Sequence, residues 1–132
     1  MAVVINAYSK KKDGDKQLST NFKVMEFACK DGSDVVFVAP ELVKLLQKIR
    51  SHFRAAVTIN SGYRTPGYNK KVKGATYSQH QYGTAADITV KGVDPKRVAA
   101  YAETLMGSKG GIGIYPTFTQ LEVREVKSRG TG

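Results

Sequence analysis

At 132 residues the chain has room for one domain with a genuine apolar core, and it needs no covalent staples. Hydrophobic residues at 41% and charged residues at 24% exclude a globally disordered chain, and a lone cysteine, Cys29, excludes an intrachain disulfide framework and reads as a small core residue. The formal net charge of +10 points to a polyanionic partner, yet the lysines are scattered and no recognised nucleic-acid motif accompanies them, so specific nucleic-acid binding is not expected.

In chain order, Val3-Val4-Ile5 with Tyr8 reads as an edge strand in an N-terminal arm, residues 1–19, that either packs on the domain or reaches another copy of it. This opening lacks the length and basic start of a secretory leader, so no signal peptide is expected. No apolar run approaches the roughly 18 residues a membrane span requires. Lys10 to Lys16 is a charged turn, and Val35 to Val38 a short strand. Pro40 opens a helix whose Leu42, Leu45, Leu46, Ile49 and Phe53 recur at helical spacing, with His52 on its surface. Val57 to Asn60 is a strand delivering Ser61 to Arg64 to a loop, and Tyr68 to Val72 forms a short helix or turn. Asp94 and Pro95 start a second helix that Gly107 ends. Ile112 to Tyr115 and Gln120 to Val126 form an antiparallel pair turning at Pro116-Thr117, and residues 128–132 read as a disordered tail. The expected fold is a single compact α+β domain, with a mostly antiparallel sheet and two main helices.

The chemistry concentrates in Ser78 to Ile88, which holds one of only two histidines, His80. Asp87 follows inside the apolar run Ala85, Ala86, Ile88, Val90, an expensive place for a carboxylate without a partner. A histidine and an aspartate converging from a loop and a strand either hydrogen-bond to each other or hold a divalent metal such as zinc. In the last strand Leu121 and Val123 face one way, and Gln120, Glu122 and Arg124 face the other.

Ser61-Gly62-Tyr63-Arg64-Thr65-Pro66, Asn69, Val72-Lys73-Gly74-Ala75, Ser78-Gln79-His80, Gly83-Thr84-Ala85-Ala86-Asp87-Ile88 and Gly110 to Tyr115 follow one another in an order that resembles the M15 peptidases. These are zinc D-Ala-D-Ala carboxypeptidases and peptidoglycan endopeptidases, many of them phage- or prophage-encoded. The resemblance covers residues 20–127 and implies the hedgehog/D-Ala-D-Ala peptidase-like fold. It also implies zinc ligands at His80 and Asp87, and a substrate-holding role for Arg64. Ser78 and Tyr82 fall beside the expected substrate groove, Asn69 and Ser78 look like loop-ordering groups, and Tyr63 and Tyr115 line the groove or pack. Lys73 stands where the subfamily usually has glycine.

The closing strand departs from the pattern. The family ends in Phe-x-His-x-Asp-x-Arg, with the histidine as third zinc ligand, whereas here Phe118 to Arg124 places Gln120 at that position and Glu122 at the aspartate's. Zinc is therefore expected to be weak or absent. Three readings stay open: a peptidase scaffold that has lost its chemistry, an active zinc peptidase using His80, Asp87 and Glu122, and a basic structural or polyanion-binding module. In the second, Glu122 coordinates the metal or acts as general base; its plain alternative is a pair with Arg124 or a nearby lysine. The expected partners are a peptidoglycan peptide or an anionic wall polymer, reached after lysis or on a virion.

Overall fold

A computed structural model of the chain describes residues 3–132; Met1 and Ala2, the start of the expected arm, lie outside the described residues. The N-terminal arm forms β1 (Asn6–Ser9), a one-turn helix α1 (Lys10–Asp13), β2 (Gln17–Ser19) and β3 (Phe22–Lys23). The expected charged turn is thus partly helical, because Ser9 caps it: its side chain accepts from the Lys12 N–H, while Asp34 accepts from Ser9 Oγ and from the Lys11 N–H. These bonds hold the Asp34 carboxyl below its ordinary range. β1 pairs antiparallel with β4 (Val35–Val38), so the arm lies on its own domain.

Helix α2 (Pro40–Phe53) buries Leu42, Val43, Leu45, Leu46 and Ile49. Each such side chain contributes about 2 kcal/mol of transfer free energy. Pro40 sits at its first turn, where a missing N–H costs nothing, and Arg54 ends it in the left-handed region at φ 50°. Then follow β5 (Val57–Ser61), α3 (Pro66–Lys71) and β6 (Ala85–Val90), then α4 (Pro95–Met106), capped by Asp94 as its sequence signals. The chain closes with β7 (Gly111–Ile114), β8 (Thr119–Glu122) and β9 (Ser128–Thr131).

The main sheet has the order β5-β6-β8-β7-β9, antiparallel throughout except for the parallel β7–β9 pair. Strand alternation divides its two faces. Ala86, Ile88, Val90 and Leu121 enter the core with the buried faces of α2 and α4, while Ala85, Asp87, Gln120 and Glu122 share the opposite face. Cys29 is buried and free.

The tail expected to be disordered is instead β9. Arg129 anchors it: its guanidinium donates to both Glu103 carboxylate oxygens, at 2.7 and 2.9 Å, and to the carbonyls of Gly107 and Gly110 at the end of α4. These bonds pull the Glu103 carboxyl below its ordinary value of 4.5. A lowered carboxylate pKa contributes stability above the unfolded pKa that is lost as pH falls through the folded one. Protection of the Ser128 and Gly132 amides from hydrogen exchange, taken relative to the unfolded chain at each pH, is therefore expected to fall as pH drops below the ordinary 4.5, and Glu103→Gln is expected to lower it already at pH 7. The same exchange profile in both proteins at every pH would show that β9 is held without this ion pair.

Candidate functional site

Asp87 lies on β6 and is 8% exposed, so its charge must be met inside the protein. One side is met by His80, 1% exposed, in the 3-10 turn Gln79–Tyr82. Ser78 caps that turn by accepting from the His80 N–H, and Gly83 ends it at φ +74°. His80 Nδ1 lies 2.8 Å from the Gly62 carbonyl, and its Nε2 is 3.2 Å from Asp87 Oδ1. A carbonyl can only accept, so Nδ1 carries the proton. In the neutral ring Nε2 is then a lone pair facing a carboxylate oxygen, which calls for a proton or a cation between them.

The other side is met by Arg64, just past the end of β5. Its NH2 lies 3.3 Å from Asp87 Oδ2, its Nε donates to Ser61 Oγ at 3.0 Å, and its NH1 donates to Asn69 Oδ1 at 3.2 Å. These three contacts leave two of the five guanidinium N–H groups. Arg64 is thus first a positioning residue for Asp87, and any hold on substrate falls to the remaining donors. Asn69 is buried at 3% and also donates to the Ala75 carbonyl, ordering the loop before His80. Gly74 makes room for this, since a methyl there would run into Asn69 Oδ1. Lys73 adopts φ +59°, the left-handed region that favours glycine, which agrees with the glycine the resemblance places there.

The β8 residues go a different way. In register Gln120 stands directly opposite Asp87, and Glu122 opposite Ala85, so all share one face. Their side chains nevertheless turn away from β6 toward β7, whose Gly111 and Gly113 are their other cross-strand partners. Glu122's carboxylate lies over Gly111, where the first carbon of a side chain would come within 2.9 Å of Glu122 Cδ. Gln120 donates to Glu122 Oε1 at 3.1 Å and accepts from the Tyr115 hydroxyl at 3.4 Å, while Arg124 donates to Glu122 Oε2 at 3.2 Å. The sequence named the Glu122–Arg124 pair as one alternative, and the structure forms it. A small cleft of about 180 Å³ beside them is closed on its far side by β9.

A catalytic zinc needs three protein ligands and an open position. His80 and Asp87 converge as two would. Gln120, which the resemblance sets at the third position, is a neutral amide already shared between Glu122 and Tyr115, and among the described residues no group of three or more His, Cys, Asp or Glu side chains is arranged to hold a metal ion. The donor set does not complete a catalytic zinc site.

Of the remaining sequence candidates, Tyr82 is 43% exposed beside His80. Ser78 is buried, and its hydroxyl serves the backbone of the turn. Tyr63 packs edge-on against Phe37 at 5.2 Å, and burial pushes its phenol pKa up; it is a core residue rather than part of a groove. Tyr115 stacks on Phe118. His52 is exposed and stacks on Tyr101, in none of these contacts. Sequence reasoning did not reach the Gly62 carbonyl that orients His80 or the Ser61 hydroxyl that fixes Arg64. Both act through geometry that no residue type announces.

Two substitutions test this network. Arg64→Met leaves half of a buried carboxylate unpaired and is expected to destabilise the fold by about 2–3 kcal/mol; a urea midpoint unchanged from the parent would remove Arg64 from this role. Lys73→Gly relieves a left-handed residue and is expected to stabilise by about 0.5–1 kcal/mol in the same assay, since the strain of roughly 1–2 kcal/mol outweighs the entropy that glycine loses.

No curated protein matches the chain. A family model described as Peptidase M15 matches residues 19–122, from the start of the domain through Glu122. That span takes in the Arg64–Asp87–His80 network together with the β7–β8 pair, and the chain belongs to the peptidase M15 family.

Proposed function

We propose that this protein is a peptidase M15 scaffold whose hydrolytic centre is incomplete, and that it binds cell-wall peptides at the surface over the Arg64–His80–Asp87 network without cleaving them at a useful rate. The observation that carries the reading is Gln120. By the resemblance it stands at the third-ligand position of the closing strand, and its amide is committed to Glu122 and Tyr115. A neutral amide oxygen is a weak donor to zinc.

Zinc in a complete site would supply a water that ionises near neutral pH and a Lewis acid for the scissile carbonyl. What this chain contributes on its own is binding. The two remaining Arg64 N–H groups suit a carbonyl or a terminal carboxylate, because a guanidinium fork is planar and always charged. Tyr82, exposed beside His80, offers apolar surface for the peptide. In this reading the protein acts at the bacterial wall, which it reaches after lysis or on a virion.

The reading in which Glu122 replaces the missing ligand requires it to leave Arg124 and Gln120 and swing back from Gly111. The same experiment tests both readings. The parent, purified without added metal, is expected to hold well under one zinc per chain and to leave purified peptidoglycan intact. Gln120→His with Glu122→Asp is expected to hold one zinc and to cleave in a chelator-sensitive manner. Gln120→His alone is expected to raise zinc affinity about a hundredfold or more, a larger effect than the 10–100-fold of an outer-shell partner. Chelator-sensitive cleavage by the parent at the rate of the double variant would overturn the proposal and establish Glu122 as a ligand.

A further inference from the structure

Away from that surface, the arm and α2 enclose a groove of about 820 Å³. Its floor includes Leu18 and Val43, its aromatic wall Tyr8 and Tyr101, and its rim Lys44 and Lys48. No Asp or Glu lines it, and it shares no residue with the Arg64–His80–Asp87 network. Lys44 and Lys48 stand one turn apart on α2, both exposed, and neither forms an ion pair among the described residues. The same two lysines also line a second depression of about 250 Å³, together with Lys109 and Arg124, where Glu41 is the one acidic lining residue. Lys44 and Lys48 therefore form a basic ridge between two depressions. The track runs from His52 across α2 to Arg124, and Glu41 and Glu125 border its far end.

A compact anion would use one depression, whereas a ridge shared by two suits a linear chain of charges. Lysine ammoniums are point charges that bind phosphate without demanding planar geometry. Recognition of single-stranded nucleic acid relies instead on free aromatic faces for base stacking. Here those faces are engaged: His52 stacks on Tyr101 at 3.7 Å, and Lys16 Nζ sits 5.5 Å from the Tyr8 centroid. We propose that this track binds a linear polyol phosphodiester polymer, through Lys44 and Lys48 at its centre and Lys109 on its far side, where Arg124 is already paired with Glu122.

The probe is a fluorescent poly(glycerol phosphate) oligomer, followed by anisotropy between 50 and 200 mM salt. With three lysines neutralising phosphates, log K is expected to fall with log salt at a slope of about −2. The Lys44→Ala/Lys48→Ala variant is expected to lose about tenfold in affinity at 50 mM salt and to flatten that slope by about 1.4. Alanine at two exposed helical positions keeps α2 intact, which circular dichroism checks. Lys70→Ala/Lys71→Ala on α3, which removes the same charge elsewhere, is expected to stay within twofold of the parent. Equal losses from both pairs would reduce the binding to net charge and overturn the site. So would absence of binding at 50 mM salt, or equal or tighter binding of an oligothymidylate of matched charge, which would assign the track to nucleic acid. Because the probe carries no peptide, failure here leaves the peptide-binding reading standing, and the converse also holds.

Discussion

The Asp87 carboxylate is the constraint around which the functional face is arranged. It sits on a strand whose neighbours are alanine, isoleucine and valine, at a depth where an unpartnered charge would cost several kcal/mol. Two groups answer it, one at each oxygen, and both come from outside β6. Each is held in turn: Arg64 by Ser61 and Asn69, His80 by the Gly62 carbonyl and the Ser78-capped turn. The whole stretch from residue 61 to residue 83 wraps over the sheet to deliver two side chains to one carboxylate. Its odd backbone features, the left-handed Lys73 and the side-chain-free Gly74, serve that wrapping.

The closing strand serves the core with one face and a separate polar cluster with the other. Leu121 faces the core with Ala86 and Ile88, and nothing about Gln120 or Glu122 disturbs that layer. On the other face the two glycines of β7 leave a hollow into which both β8 side chains fall, and Tyr115 and Arg124 hold them there. Gln120 and Glu122 thus form a self-contained cluster over β7 that leaves the core layer undisturbed.

The excess positive charge also acquires a place. Lys10 to Lys12 and Lys70, Lys71 and Lys73 also group along the chain, but Lys44 and Lys48 share a ridge bounded by depressions with one acidic residue between them. The ridge lies on α2 and the Arg64–His80–Asp87 network on the polar face of the sheet, and the two share no lining residue.

Much of this was legible in the sequence. The apolar periodicity of α2, the Asp94–Pro95 start of α4 and the turn between β7 and β8 are local signals, and each formed where its pattern indicated. The buried, partnered state of Asp87 followed from the apolar run around it. The helical turn at Lys10–Asp13 depends on Asp34, and the ordered β9 depends on Glu103, which is far along the chain from Arg129; tail composition carries no trace of that contact. The direction of Gln120 and Glu122 was equally out of reach. Alternation assigns a side chain to a face of the sheet, but which neighbouring strand it leans over depends on the space that strand leaves, and here two glycines on β7 left it.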